Sequence, residues 1–250
     1  MRLFRPGYPL AALCVAWLLT PSVAASDDHV VWGCEDAGYT GETTEYAHAV
    51  LGDNIEYKSL VLKVPTGVGT LEASLDLPEG QVFEDIAPRC GDLTGDGEDE
   101  VVTVISDILG GARLAIYSPR TGPVAETPPI GQGFRWLAPI GIGDINGDGR
   151  NEVAYVDRPH LAGILRVWQL QDGKLVELAS GERFSNHRIG EDFITGGVRD
   201  CGDGTELVVP DFGWGTLLAV RMQGDTLLQR SIVDQTDRET VQAALDCKLK

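Results

Sequence analysis

Two stretches of this chain place oxygen donors at a spacing that suits a hard cation. Residues 91–102 read GDLTGDGEDEVV and bring Asp92, Thr94, Asp96, Glu98 and Glu100 close together. Residues 143–154 read GDINGDGRNEVA and offer Asp144, Asn146, Asp148, Arg150 and Glu152 in the same register. Calcium takes about six to eight oxygens from a flexible loop. Side chains at alternate positions of a tight loop face one centre. Gly97 and Gly149 let the backbone turn sharply, so that the Glu98 and Arg150 carbonyls also face it. The second loop offers the better donor set, because Thr94 is a poorer ligand than Asn146. The plain alternative is a pair of Asp-Gly hairpin turns with incidental acids.

An EF-hand loop begins in the same way but needs a bidentate Glu at its twelfth position and a flanking helix. Those positions hold Thr103 and Tyr155, each in Val-rich sequence suited to strands. A third, shortened copy, GGVRDCGDGTELV at 196–208, carries Asp200, Asp203 and Glu206. It has lost a residue from the spacing, and no ion is expected there.

Asp92 and Asp144 lie 52 residues apart. A fixed period of that size signals a repeat architecture. Between the loops the pattern is short strands: an alternating run at 57–64, β-branched runs at 101–105 and 153–156, and turns at Gly110-Gly111, Asp172-Gly173 and Gly224-Asp225. Each unit then reads as a meander of four short strands, too small to bury both faces alone. The fold expected is therefore all-β. Specifically, it is a β-propeller of four four-stranded blades, near 46–80, 81–131, 132–182 and 183–233. Thr236-x-x-Glu239 forms a capping box, which predicts a short C-terminal helix within 234–250.

The doublet GDLTGDGEDEV and GDINGDGRNEV resembles the FG-GAP repeat of integrin α-subunits and the related VCBS repeats of bacterial exported proteins. The resemblance covers about residues 82–232, and 46–77 only by strand pattern. It implies propeller blades and loops that bind Ca2+.

The first 25 residues read as a secretory signal peptide: Arg2 and Arg5, an apolar run at 10–19, and small-x-small cleavage sites near Ala24 and Ala25. That run is too short to span a bilayer. Residues 26–45 are expected to form an N-terminal arm. The exported product is then periplasmic or secreted, with no membrane span after cleavage. Cleavage leaves 18 basic against 38 acidic residues. So acidic a surface repels nucleic acid and anionic lipid and concentrates cations. Four cysteines remain, Cys34, Cys90, Cys201 and Cys247, without metal-ligand spacing, so disulfides are expected. The favoured pairing ties the C-terminus to the last repeat through Cys201 and Cys247, leaving Cys34 with Cys90.

No Gly-x-Ser-x-Gly, His-Glu-x-x-His or phosphate-binding glycine loop is present. The remaining chemistry-bearing residues are His48, Asp157, Arg158, His160, His187, Arg188 and Asp192. They sit between strands and would gather on one face as a site for an anionic ligand. The competing reading is that Asp157, Arg158, Arg188 and Asp192 serve only local ion pairs. Together these features point to an exported calcium-binding scaffold or binding module, with a protein or carbohydrate of the cell envelope as partner. The alternative is a propeller-type lyase or hydrolase with its site on the axial face.

Overall fold

The computed structural model describes residues 37–66 and 69–249. The expected signal peptide, residues 26–36 of the arm, and Cys34 lie outside the described residues. The chain is all-β with one short helix, as expected, but its strands form three separate antiparallel sheets.

The first sheet holds eight strands: β1 (Gly38–Thr43), β2 (Glu56–Thr66), β3 (Gly69–Asp76), β4 (Gln81–Phe83), β5 (Arg89–Gly91), β6 (Glu100–Asp107), β7 (Gly111–Ser118) and β8 (Gly122–Glu126). The second holds β9 (Leu137–Gly143), β10 (Glu152–Asp157), β11 (Ile164–Gln171) and β12 (Lys174–Glu182). In the third are β13 (Gly197–Asp200), β14 (Thr205–Pro210), β15 (Leu217–Gln223) and β16 (Thr226–Val233). Helix α1 (Arg238–Leu245) follows.

The four-bladed propeller is not formed. There are three sheets rather than four, and they stack face to face, sandwich fashion, without closing a ring. The reason lies in residues 46–80, which have no Asp-Gly loop and do not make a sheet of their own. Their strand β2 pairs with β4 through Tyr57 and Phe83, and β4 pairs with β6 along Gln81–Phe83. The first expected blade is thereby built onto the edge of the second. Gly38–Thr43, inside the expected arm, adds a further strand against β2.

The stacking explains the apolar runs. Successive strand residues point to opposite faces. In β10, Val153 and Tyr155 pack against Val102, Val104, Leu114 and Ile116 of the first sheet. Ala154 and Val156 face the other way, against Leu207, Val209 and Val220 of the third. Strand β6 is likewise two-faced: Val102 and Val104 meet the second sheet, while Val101 and Ile105 pack with Leu60, Leu62 and Phe83. A strand buried on both faces reads as a near-continuous hydrophobic run, as β6, β10 and β14 do.

Each of these middle strands carries a buried glutamate at its first or second position: Glu100, Glu152 and Glu206. The residue paired across the sheet is Gly91, Gly143 and Arg199 respectively. A Cβ on Gly91 would come within 2.8 Å of Ile142, and one on Gly143 within 3.0 Å of Val198. The neighbouring sheet leaves no room for a side chain. The third sheet ends the stack, so Arg199 fits there. Its guanidinium meets Glu206 at 2.8 and 3.0 Å and donates to the Ala244 and Leu249 carbonyls at 2.6 and 2.7 Å. Arg221 and Arg230 also reach Glu206. Burial alone would raise the Glu206 pKa, but the three guanidiniums more than offset it and hold the carboxyl below its usual range.

Helix α1 covers this end of the stack, packing Val241 and Ala244 on Val208 and Leu217. Its N-cap is Asp237, which accepts from the Thr240 amide at 3.0 Å. The expected capping residue, Thr236, instead donates its hydroxyl to the Trp214 carbonyl. The Cys201–Cys247 disulfide is formed, with Cα atoms 5.5 Å apart. Cys90 is also disulfide-bonded; its expected partner, Cys34, lies outside the described residues. Among the described residues no helix is long and apolar enough to cross a membrane.

The Cys201–Cys247 bond closes a loop with a sequence separation of 46 residues. Chain entropy for a loop of that length is worth about 4 kcal/mol. Replacing both cysteines by serine is expected to lower the unfolding free energy in urea by up to that amount. A change under about 0.5 kcal/mol would mean that α1 is held by packing and Arg199 alone.

Candidate functional site

The inter-strand segments meet in a cavity of about 320 Å³, lined by His48, Val50, Phe134, Arg135, Trp136, Arg158, His160, Leu161 and Ile189. Three of the seven residues singled out as a ligand face, His48, Arg158 and His160, therefore converge. They come from the segment before β2, the β10–β11 turn and the same turn, respectively. The remaining walls come from the β8–β9 and β12–β13 connections.

Each wall is tied to the next by main-chain bonds. The Arg158 amide donates to the Trp136 carbonyl at 2.9 Å, and the Gly190 amide to the Val50 carbonyl at 3.0 Å. The Phe134 amide donates to the Tyr46 hydroxyl at 2.9 Å, and the two rings stack with centroids 4.9 Å apart. Ala49, Phe134 and Arg158 all hold left-handed backbone, at φ of 55, 56 and 49°. Non-glycine residues there carry local strain, and such residues cluster at ligand sites.

The two histidines are held from opposite sides. His48 Nδ1 lies 2.6 Å from the Glu84 carboxylate, which is fully buried and also receives the Ser106 hydroxyl. The indole of Trp136 donates to the Glu84 carbonyl at 2.8 Å. His160 Nε2 lies 3.0 Å from His187 Nδ1, and His187 Nε2 lies 2.9 Å from the Glu191 carbonyl. Burial first, then the neighbouring imidazole, pushes the His160 pKa down to about 4, and burial lowers that of His187. Both rings are thus neutral near pH 7.

Their tautomers follow from that chain of bonds. A carbonyl only accepts, so His187 carries its proton on Nε2 and its Nδ1 accepts from His160 Nε2–H. His160 is left with an unprotonated Nδ1. His187 itself is fully buried and backs the cavity rather than lining it.

The other expected members of the face stand elsewhere. Asp157 is buried and forks onto Arg158 at 2.7 and 2.9 Å, with Arg166 at 3.2 Å. Arg188 reaches Glu191 and stacks on Trp214 with its guanidinium 3.7 Å from the ring centroid. Asp192 is exposed and outside the lining. Phe134, Arg135, Trp136 and Glu84 escaped the sequence reading, since nothing in a local pattern marks a side chain brought in from another connection.

The acidic loops sit away from this cavity. Gly95 and Gly97 lie at φ of 81 and 86°, and Gly147 and Gly149 at 79 and 86°, so both loops turn as the spacing predicts. Asp92 accepts from the Gly95 and Gly97 amides, and Asp144 from those of Gly147 and Gly149. Glu100 and Glu152 fold back onto the amides of Leu93 and Thr94, and of Ile145 and Asn146. Burial raises the pKa of both glutamates. Asp148 is further engaged by Gln169, Asn146 and the Arg150 amide, which lower its pKa, the Gln169 bond most. Among the described residues Asp96 accepts only from the Glu98 amide, through Oδ1. The Glu98 side chain turns to Arg120.

Among the described residues no three of His, Cys, Asp and Glu gather as a metal-holding group. The donors suit a hard cation in kind, but each loop leaves at most two carboxylates for it. The first loop is the freer of the two, the reverse of the order expected from Thr94 and Asn146.

No protein-family model and no curated protein matches the chain. Among solved structures its fold is similar to that of rhamnogalacturonan lyase YesW, determined at 1.40 Å resolution, with a TM-score of 0.41 and 14% identity over 80% of this chain. The chain spans about half the length of that protein, 51%. At that score the likeness carries no inference about activity.

Behind His48 lies a buried acid layer of Glu56, Glu84 and Asp85. Burial, followed by the Glu84, Asp53 and Asp85 charges, pushes the Glu56 carboxyl up to about 9. A raised carboxyl is protonated in the fold before it is in the unfolded chain. Its contribution is complete below the unfolded value near 4.5 and is lost as pH rises toward 9. Glu56→Gln is expected to stabilise the protein by about 3 kcal/mol at pH 7 and by almost nothing near pH 4.5. Urea midpoints at the two pH values test this, and a pH-independent difference contradicts it.

Proposed function

We propose that this chain is an exported binding module whose ligand face is the cavity between His48, Arg158 and His160, and whose acidic loops take calcium. One observation carries the reading. Residues from four separate connections, unremarkable in sequence proximity, converge on a cavity with strained backbone on three sides. Its size falls within the roughly 300–1,000 Å³ usual for ligand sites, and it combines apolar walls with a few polar groups. The disulfides support export, since such bonds persist in oxidising compartments. The partner is a protein or carbohydrate of the cell envelope, met in the periplasm or outside the cell.

The calcium reading rests on loop chemistry and on the resemblance to FG-GAP and VCBS repeats. With at most two free carboxylates per loop, affinity is expected to be weak, with dissociation constants on the order of 10⁻⁴–10⁻³ M. Asp92, Asp96 and the Glu98 carbonyl would hold the ion in the first loop. Asp144 and the Arg150 carbonyl would do so in the second, where Asn146 and Asp148 are already bonded to each other and to Gln169. A chelator is expected to lower the melting temperature without unfolding the protein, because the sheets bury their cores without the ion. Asp96→Ala is expected to remove more of that response than Asp148→Ala. A melting curve that EDTA does not move would reduce both loops to hairpin turns.

The binding role is tested by capture from envelope extracts with the mature protein and with Leu161→Trp. Leu161 is exposed at the cavity wall, so the indole fills the opening without touching the core. Wild type is expected to retain a component that the variant loses. Equal capture by both would place binding elsewhere.

A further inference from the structure

We propose that the cavity takes a small hydroxylated ring carboxylate, of the sugar-acid kind. The ring's apolar face would rest on Phe134, the carboxylate would meet the guanidiniums of Arg135 and Arg158, and a hydroxyl would donate to His160 Nδ1. This rests on the binding-module reading above and names the ligand of that same site.

Charge is the first ground. The chain carries a formal net charge of −18. Yet the cavity lining has two arginines, Arg135 and Arg158, and no carboxylate. A local cationic opening in an acidic surface selects for an anion and attracts it from solution. The lining cations are not equally free. Arg158 spends Nε and Nη2 on Asp157. Arg135, only partly buried, donates Nη1 to the Phe134 carbonyl and pairs with no carboxylate among the described residues. Its planar fork is available for a carboxylate, which is the partner that guanidinium geometry favours.

The hydroxyl requirement follows from the His160 tautomer. With Nε2–H committed to His187, Nδ1 presents a lone pair, and no described residue donates to it. A lone pair repels a second anionic oxygen and rewards a donor, so a dicarboxylate fits less well than a hydroxy acid. The ring requirement follows from Phe134. Its side chain stays 44% exposed although its other face stacks on Tyr46. With Val50, Leu161 and Ile189 it supplies apolar lining beside the polar groups, the combination that orients an amphipathic ring.

Two other places offered less. The Arg221–Arg230 groove has a cavity of about 370 Å³, but Glu206 already occupies its guanidiniums. The apolar groove of Ile86, Pro88, Ile140 and Phe193 carries nothing that identifies an occupant.

Calorimetry of the full mature chain with D-glucuronate, D-glucose and benzoate tests the proposal. Glucuronate is expected to bind about tenfold or more tightly than glucose, which lacks the charge, and than benzoate, which lacks hydroxyls. Arg135→Gln, on a partly exposed side chain, is expected to weaken glucuronate about tenfold and leave the melting temperature unchanged. Equal binding of glucose and glucuronate, or an Arg135→Gln variant that binds as wild type does, overturns the assignment. So does the absence of any glucuronate heat. Capture of an envelope component that Leu161→Trp abolishes would then still mark the cavity as the binding site, with another ligand class.

Discussion

Burial of the middle strands on both faces is the constraint from which the rest of this molecule follows. Strand β6 presents one apolar set to the second sheet and the other to β2 and β4 of its own sheet, β10 lies between the first and third sheets, and β14 lies between the second sheet and α1. A one-residue slip in register would exchange the two sets and open both interfaces at once. That is why β-branched residues run unbroken there, and why the buried glutamates sit at the strand starts, where loop amides or arginines can satisfy them. A buried carboxylate without such partners would cost several kcal/mol.

The glutamates also show how the stack ends. Where another sheet follows, the residue facing the glutamate is glycine, because the neighbour's Ile142 or Val198 fills the space. Where no sheet follows, Arg199 takes that position and reaches past the glutamate to the carbonyls at the end of α1. Helix, disulfide and arginine together close the outer face. The same position in the fold thus serves sheet packing twice and termination once, and the local amino acid records which.

The cavity is a by-product of the same stacking. Sheets that pack face to face bring their connections to common edges, and four of those connections meet around Trp136. Its ring stands parallel to His160 and edge-on to His187, while its indole nitrogen is tied to Glu84. Cationic groups line the opening, and the acidic layer of Glu56, Glu84 and Asp85 lies behind it. His48 and Trp136 line the cavity and both bond to Glu84 of that layer. Such a gradient of charge across a buried wall fixes the orientation of His48 through its bond to Glu84, much as a carboxylate fixes a histidine in metal and catalytic sites.

Much of this was legible in the residues. The repeat at 52-residue spacing located the Asp-Gly turns and the strand runs, because each depends on neighbours a few positions away, whereas the Cys201–Cys247 tie was one favoured pairing among several, which the fold then made. What the sequence could not decide was how many sheets the units would form. That turned on one pair, Tyr57 with Phe83, which joins the first segment to β4 and removes a separate first blade. Nor could it tell that Asp148 would be engaged by Gln169 from the next strand, or that the Phe134 ring would stand edge-on to His48. Local pattern determines which residues form strands and turns. Which edges pair and which connections meet is set by interactions between residues far apart in the chain, and those exist only once the sheets have packed.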